Sequence, residues 1–497
     1  MASDWHIQCV ALGIAVTAGL ACSACTQMSV VHPQSQIASA VPPSAVVGRT
    51  NGDRAPLSEP VQQQVETAAA EEAPEGPLTL EELIRLALDH NPDLESARYR
   101  VARAEAMLAR ARAEFFPTLT LSENYSVSDN PVMAFMFKLN QAQFSLADLA
   151  RINDPDTTDD FHTQLQITQP LYTGGRLTSS LAAAEHGTQA AEYELAALRN
   201  TLVAQLAEAY YRLIQARNLV RVREESLEQV REHLRIVEAR FRAGSAVQSD
   251  VLTIRVRLAE AEEALIVARQ QYELAWDVLD NVVGAPVPRK ELPEEPAAAP
   301  WSDGVGEIEQ LVREAFDRRP ELAMIREQLA AAEHRVEVAR AGRRPTAGLV
   351  ADYDVHTGDW KRGDDSFFVG VMLAWKLLDS GRTAAEVQKA LAQYGELSAA
   401  QRKLVLDVEL DIRRAYLAWV AARERLRVAR QAVEQARATL REVEARYRAE
   451  SATITELVDA QVALSEARVR EQNAAAELHV ARAALERAVG RLAEIQP

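Results

Sequence analysis

The chain carries one pattern of prolines and glycine-containing turns twice, and this duplication limits its fold more than any other feature. The two copies are 228 positions apart at their early prolines and 206 positions apart at their later turns. The first copy therefore holds 22 extra residues, the difference between these offsets, between its second proline and its Gly-Arg turn. The matched pairs are Pro92 and Pro320, Pro117 and Pro345, Arg176 and Arg382, and Gly284 and Gly490. We expect two equivalent units whose packed helices keep their length while one exposed loop does not.

A very long stretch without proline follows the Gly-Arg turn in each copy. In the first copy it covers residues 176–243, and these 68 residues measure about 100 Å as one α-helix. Apolar or small residues recur at every seventh position along this stretch, its repeat mate and the two helices that follow. The four rows begin at Leu206, Val251, Ile412 and Ala460. A seven-residue period of this length predicts long helices that supercoil around one another.

Between these helices each copy has a segment with a two-residue period, which is typical of a β-strand. Phe161, Leu165 and Ile167 alternate with polar residues in the first copy, and residues 366–377 show the same alternation in the second. One apolar and one polar face suit a strand between lipid and water, although the edge of a soluble sandwich is an alternative. Two hairpins cannot close a barrel, so a barrel requires several chains.

The 22-residue excess predicts a long external loop in the first hairpin, at residues 133–160. The end of this loop, residues 153–160, is polar and typical of turns. Its middle, residues 135–149, is apolar enough to pack on the mouth of a barrel or to plug it in part.

Composition and motifs exclude several classes of protein. Hydrophobic residues make up 48% and charged residues 26%, which rules out a wholly disordered chain. The net charge of -17 argues against a nucleic-acid partner, because such a binder needs a basic surface. We find no HExxH motif, phosphate loop or nucleophile elbow, and the three cysteines lack zinc-site spacing. We therefore predict no catalytic site, no cofactor and no metal.

The N-terminus predicts export from the cytoplasm. Residues 10–24 are apolar or small, too short for a bilayer span and typical of the centre of a signal peptide, which we place at residues 1–25. Cys22 and Cys25 are the candidate lipidation sites, although neither has the usual aliphatic residue three positions before it. Residues 26–77 are rich in Pro, Ser, Gln and Glu, which predicts a flexible linker.

The order and spacing of these elements closely resemble the TolC-like outer-membrane efflux family. The resemblance runs from about Leu78 to Gly490. It is carried by the helix starts at Asn91-Pro92 and Arg319-Pro320, the junction at residues 169–176, and the turns at residues 242–252 and 448–460. It implies a mainly α protein with a small β part, built from duplicated helix–hairpin–long-helix pairs. Each chain then forms one third of a trimeric 12-stranded β-barrel and of a 12-helix coiled-coil tunnel in the periplasm.

This resemblance also implies a division of the chain and a function. The first efflux-protein repeat is residues 78–285, a Pro-rich linker is 286–302, the second repeat is 303–490 and a tail is 491–497. The implied protein is a homotrimeric duct in outer-membrane lipid that extends into the periplasm of a Gram-negative type envelope. It carries substrates expelled by an inner-membrane pump or ABC exporter together with a periplasmic adaptor, a membrane fusion protein. It catalyses nothing.

The resemblance further implies a gate near the tips of the long helices. Glu456 and Asp459 lie three residues apart on one helix face and match paired aspartates that face the tunnel axis in the family. Six such carboxylates in a trimer form a ring that attracts cations. Asp250 and Tyr447 match a family pair joined by a hydrogen bond in the closed state. The alternative is that these acids only offset the dipoles of their helices.

The two turns at the tips are the implied docking site for the adaptor. The candidate residues are Arg242, Gly244, Ser245, Arg448 and Ser451. The alternative is that they only cap the ends of helices. The second turn departs from the family pattern, because Glu450 replaces the usual glycine and Ala452 stands where the best-known member has an arginine.

Two other functions stay open on the sequence. A periplasmic coiled-coil scaffold or adaptor accounts for the seven-residue period, but it leaves the apolar hairpin faces without a purpose. An enzyme with a helical domain requires a convergent acid–base or metal cluster, and the sequence shows none. The transported substrate, and the choice between efflux and protein secretion, do not follow from the sequence.

Overall fold

In the computed structural model both copies of the duplicated pattern fold into one shared series of elements, and the first copy has two further helices between its strands. The structure describes residues 76–245, 247–293, 305–359, 362–449 and 451–494. The elements of the first copy are α1 (Leu80–His90), α2 (Pro92–Ala113), β1 (Thr118–Ser128), α3 (Pro131–Asn140), α4 (Leu146–Leu149), β2 (Thr158–Tyr172), α5 (Arg176–Arg242) and α6 (Gln248–Val283). Those of the second are α7 (Ile308–Arg318), α8 (Pro320–Ala341), β3 (Thr346–Asp359), β4 (Arg362–Ala374), α9 (Arg382–Arg448) and α10 (Ile454–Val489), followed by a short 3-10 helix (Arg491–Glu494).

Several predictions fall on residues that the structure does not describe. The proposed signal peptide, almost all of the linker at residues 26–77 and both lipidation candidates, Cys22 and Cys25, lie outside the described residues. The same is true of Glu450, of residues 294–302 in the linker between the repeats, and of the first two residues of the second repeat, 303–304. These predictions stay predictions.

A proline sets the start of the second helix in each copy, and in the first copy Asn91 also caps this helix. The Asn91 carboxamide oxygen accepts hydrogen bonds from the backbone nitrogens of Asp93 (2.9 Å) and Leu94 (3.1 Å). Pro92 and Pro320 occupy the first helical position, where their missing N–H is not needed and their fixed φ suits a helix. The prolines thus divide each copy into a short helix and a helix of 22 residues.

The long helix α5 is covered by different partners along its length. Its first half packs between α2 and α8, and its second half between α6 and α10; α9 packs against α8 and α10 in turn. Leu206 and Leu213 from the predicted seven-residue row are buried in the main core, together with Trp276 of α6. Phe241, at the end of the same row, is exposed. The predicted mainly helical fold with long paired helices is confirmed.

The end of α6 meets the start of α2. Gly284 closes α6 with φ of 86°, and a Cβ there would lie 2.6 Å from Pro92 Cδ. The Asn91 side-chain nitrogen, Nδ2, donates to the carbonyl of Val282 at 2.8 Å. These contacts align α6 and α2, with 36 and 22 residues, into one column of about 87 Å beside α5.

The second copy makes the same junction with different chemistry. Gly490 closes α10 with φ of 93° against the backbone of Arg319. Arg319 takes the place of Asn91: its Nε donates to the carbonyl of Ala488 at 2.6 Å, and its guanidinium forms an ion pair with Asp411 of α9. The arginine ties three helices together at a point where the first copy uses an amide.

The four strands form one antiparallel sheet in the order β1-β2-β3-β4. The central pairing of β2 with β3 joins the two copies and sets His162 opposite His356. β1 and β4 each pair on one side only, so both edges of the sheet are open in the part of the chain that the structure describes.

The two faces of the sheet differ as the alternation predicts. The register places one set of large apolar side chains on the first face: Leu121, Tyr125, Phe161, Leu165, Leu349, Tyr353, Phe367 and Val371. The second face is mainly polar and includes Asp160, His162, Gln164, Gln166, Asp352, Asp354 and His356. Most residues of the apolar face on β1 and β4 are exposed in the single chain.

The length difference between the copies lies in the hairpin connections. Residues 129–157, 29 in number, join β1 to β2, whereas two residues, 360–361, join β3 to β4. The long connection contains α3 and α4, which the sequence did not predict. β2 begins at Thr158, so residues 158–160 belong to the strand and not to the predicted loop. Within the described residues no helix is both long and apolar enough to cross a membrane.

Candidate functional site

The turn between α5 and α6 is closed by a glycine and a serine. Gly244 adopts φ of 77° with open space around its α-carbon. The backbone nitrogen and the hydroxyl of Ser245 both donate to the carbonyl of Arg240, at 2.9 and 3.1 Å. Ser245 therefore satisfies a carbonyl that the end of α5 leaves unpaired.

The turn between α9 and α10 repeats this closure. The nitrogen and hydroxyl of Ser451 donate to the carbonyl of Arg446, at 2.9 and 3.0 Å. Both predicted serines thus cap helix ends, and the hydroxyls are already engaged within the chain. The alternative role, capping of the helix ends, accounts for these hydrogen bonds.

The two predicted docking arginines present their charge at the surface of the tip. Arg242 Nε donates to the carbonyl of Glu238, one turn back along α5, at 3.2 Å. Arg448 Nη2 lies 3.6 Å from a carboxylate oxygen of Glu444. Both side chains are exposed and lie along their own helices, so the guanidinium groups are accessible to a partner.

Two of the predicted gate carboxylates, Glu456 and Asp459, each pair with an arginine. Glu456 lies 3.4 Å from Arg446 Nη2, and its backbone nitrogen donates to the Thr453 hydroxyl, the N-cap of α10, at 3.2 Å. Asp459 Oδ1 lies 3.8 Å from Arg257 Nη2 on α6. These pairs are exposed, and pairs of this kind contribute about 0.2–1 kcal/mol each.

The predicted pair of Asp250 and Tyr447 is not joined within one chain. The Arg240 guanidinium lies over the Tyr447 ring, 4.6 Å from its centroid, so the ring makes a cation–π contact. Asp250 lies in the first turn of α6, where a carboxylate also offsets the helix dipole. A bond between these two residues in an assembly stays a prediction.

A small apolar core holds the tip together behind these polar groups. Its buried members are Val230, Val237, Val251, Ile254 and Val458. They come from α5, α6 and α10, so the tip helices of both copies share one core. The helices that carry the tip carboxylates are therefore held in place by this shared core.

A polar seam joins α5 to α10 further along. Gln215 Nε2 donates to Asn473 Oδ1 at 2.6 Å, and Asn218 Nδ2 donates to Gln472 Oε1 at 2.8 Å. His479 stacks on the buried Tyr211 ring, with centroids 4.6 Å apart, and burial lowers the pKa of His479. All of these residues except Asn473 line a groove of about 630 Å³ between α5, α9 and α10.

The sequence does not predict the arginines that pair with the tip residues, or the amide side chains that join α5 to α10. Arg240, Arg257 and Arg446 pair with residues on other helices, and one sequence without its fold gives no sign of such pairs. In the described residues no three His, Cys, Asp or Glu side chains converge as metal ligands.

Comparison with known proteins identifies the family. Residues 83–285 and 311–491, one stretch in each copy, match the outer membrane efflux protein family. The chain is 29% identical over 411 residues to the pyoverdine export outer membrane protein OpmQ of Pseudomonas aeruginosa, covering 81% of this chain and 82% of OpmQ. It is 24% identical over 429 residues to the outer membrane protein TolC of Vibrio cholerae, covering 84% and 91%.

The fold is also that of a solved channel. The outer-membrane channel OprN superposes with a TM-score of 0.69 at 23% identity, covering 83% of this chain and 89% of OprN. The predicted resemblance is confirmed, and the family is one of channels, which favours a duct over a periplasmic scaffold or adaptor. The chain belongs to the outer membrane efflux protein family, and it is an outer-membrane export channel that extends through the periplasm.

Proposed function

We propose that three copies of this chain close into one passive duct, which receives its substrates from a periplasmic adaptor and an inner-membrane pump or ABC exporter. The observation that carries this proposal is that, among the described residues, both lateral edges are unpartnered, in the sheet and in the helices. A single chain cannot enclose a channel with such edges, whereas a ring of copies can.

The sheet supplies the first pair of edges. β1 and β4 carry unpaired backbone donors and acceptors along their outer sides. If β4 of one copy pairs with β1 of the next, three copies give twelve strands and leave no edge. The exposed apolar face then meets outer-membrane lipid, and the polar face lines the interior.

The helices supply the second pair of edges. On α6 a stripe of exposed apolar residues lies opposite the face that packs on α5. The exposed Leu252, for example, is two positions from the buried Ile254, and two positions along a helix rotate a side chain by about 200°. The stripe contains Leu252, Val256, Val267, Leu274 and Val278, with Ile266 beside it. On α9 the corresponding stripe contains Leu406, Leu410, Leu417 and Val428, opposite the buried Val408 and Ile412. Neither stripe has a partner within the described part of the chain, and each can cover the other across a boundary between copies.

The tip serves as the docking and gating end in this account. The exposed Arg242 and Arg448 offer charge to an adaptor, while Ser245, Ser451 and Gly244 shape the two turns. Glu456 and Asp459 ring the opening, held by Arg446 and Arg257 while the tip is closed. The duct itself catalyses nothing. It passes what the pump delivers, so the choice of substrate lies with the pump.

A charge placed on the edge stripe tests the assembly. Ile266→Lys puts a cation on the exposed apolar edge of α6 and should abolish the trimer that survives unheated electrophoresis, together with export. Gln205→Lys is the matched control, because Gln205 is exposed on α5, which has neighbours on both sides. If Ile266→Lys assembles and exports like Gln205→Lys, this edge is not an interface between copies.

A further inference from the structure

The long connection of the first hairpin folds back onto the sheet instead of extending away from it. α3 contacts both central strands, β2 and β3. Ala134 and Phe137 on one side of α3 are buried, and Gln141, just after the helix, is 4% exposed. The connection therefore has a fixed place against the sheet.

The contacts place α3 on the polar face of the sheet. Gln141 Nε2 donates to Asp160 Oδ1 at 2.9 Å and to the carbonyl of Asp159 at 2.7 Å. Asp160 Oδ2 lies 2.9 Å from His356 Nδ1 on β3, and the His356 ring stacks on His162 with centroids 4.2 Å apart. Asp160, His162 and His356 all belong to the polar face, so the connection turns inward if that face lines a duct.

The connection is a folded element in its own right. Lys138 Nζ lies 2.7 Å from Asp148 Oδ1, which joins α3 to α4. The Ser145 backbone nitrogen and hydroxyl both donate to Asp148 Oδ2, at 2.8 and 2.7 Å. The hydrogen bond from Lys138, followed by those from Ser145, lowers the pKa of Asp148. Phe135 packs edge-on against Phe144, with centroids 5.0 Å apart. These contacts join α3, α4 and the segment between them into one folded unit.

The side of α3 that faces away from the sheet is apolar and uncovered. Val132, Met136 and Leu139 are exposed, and each lies about 140–160° around the helix from the buried Ala134. Apolar side chains that point into a water-filled duct are unfavourable unless something covers them. The trimer proposed above supplies a cover, because it brings two more copies of the same surface around the axis.

We propose that the three α3 helices meet at the axis through Val132, Met136 and Leu139 and form an apolar plug in the outer mouth of the duct. This inference rests on the proposed trimer. Twelve strands about 4.8 Å apart and tilted by about 40° enclose a ring about 24 Å across. A helix about 10 Å wide on the inner wall of each chain leaves no room for three to avoid one another. The Gln141–Asp160 contact holds each part of the plug to the wall.

A cysteine at the meeting surface tests the contact directly. Met136→Cys should give disulfide-linked pairs of chains under mild oxidation of intact cells, because three such residues lie around one axis. Leu146→Cys is the matched control: Leu146 is 84% exposed in the same connection but lies outside α3 and should not cross-link. The unsubstituted chain reports any linkage through Cys9, Cys22 or Cys25. Absence of linkage at residue 136, or equal linkage at residue 146, overturns the plug.

A second measurement uses chemical labelling from outside the cell instead of conductance. A closed tip limits conductance whether or not the plug is present, but it does not limit labelling from outside. Thr168 lies on the polar face of β2 towards the helical end of the sheet, so Thr168→Cys reports access from outside past the plug. A membrane-impermeant maleimide should label it slowly in intact cells and at least tenfold faster when Met136→Asp is added, since three charges at the axis repel. Labelling that is equally fast in both overturns the plug but leaves the trimer standing. Loss of the trimer itself in the chain with Thr168→Cys alone points instead to failure of the proposed function.

Discussion

Asp459 Oδ1 of α10 lies 3.8 Å from Arg257 Nη2 of α6, so an ion pair links the two copies of the repeat beside their tips. Glu456, three residues earlier on α10, pairs with Arg446 of α9 at 3.4 Å. Each pair is exposed and weak alone, and each connects a carboxylate of α10 to a neighbouring helix of the tip.

Neutralising these carboxylates should change the ion preference of the duct. In the double variant Glu456→Gln/Asp459→Asn, single-channel recording should show reduced cation selectivity and loss of block by multivalent cations, because the ring loses its charge. Glu396→Gln, an exposed carboxylate near the start of α9, is the control and should leave both properties unchanged. If the double variant keeps native selectivity and native block, the ring is not the gate.

Reversing the tip arginines should break docking and spare assembly. Arg242→Glu/Arg448→Glu places repulsive charges at both exposed turns, and we expect export in cells to be lost while the trimer still forms. The exposed Arg85 on α1 provides the control variant Arg85→Glu, which should export normally. Native export by the tip double variant would remove these arginines from the docking surface.

Two glycines with the same backbone geometry should differ in their tolerance of alanine. Gly284 and Gly244 both have positive φ, 86° and 77°, and alanine there costs about 1–2 kcal/mol from the backbone alone. At Gly284 the new Cβ also meets Pro92 Cδ at 2.6 Å and Asn91 Cα at 2.9 Å, and overpacking of this kind adds about 1–3 kcal/mol. Thermal melting of the purified protein, followed by circular dichroism, should fall clearly further for Gly284→Ala. Equal melting temperatures would contradict the tight junction between α6 and α2.

Most of the fold follows from local periodicity in the sequence. The seven-residue rows predict the long helices, the two-residue alternation predicts strand faces such as Phe161 against His162, and the offsets locate the long connection. These signals are local, because each is set by the side of an element that must be buried. They do not state which element covers that side, and α5 alone packs against α1, α2, α6, α8 and α10.

The details of the sites depend on contacts distant in sequence. Gln141 binds Asp160 beside β3, near residue 358, and this contact turns the connection inward. Tyr447 meets Arg240, more than 200 positions earlier, instead of Asp250. No spacing rule connects such pairs, so the sequence predicts which residues reach the tip but not which partners they take there.

Acid should destabilise the helical part of the protein through His479. Burial lowers the pKa of His479 below the value of about 6.5 for an unfolded histidine. Below that value the unfolded chain binds the proton more readily than the folded one, so stability falls as the pH drops through this range and is full above it. The melting temperature should therefore decline between pH 7.5 and 5.5, and His479→Phe, which keeps a ring against Tyr211, should reduce the decline. An unchanged pH profile in His479→Phe, matching that of a control at the exposed His90, would contradict this role.

The number of chains in one particle tests the central claim most directly. Native mass spectrometry of the protein extracted from outer membranes measures this number without any assumption about transport. The account predicts a particle with three times the mass of the mature chain, because only a ring closes the open edges at β1, β4, α6 and α9. A particle of one, two or four chains would contradict the trimeric duct.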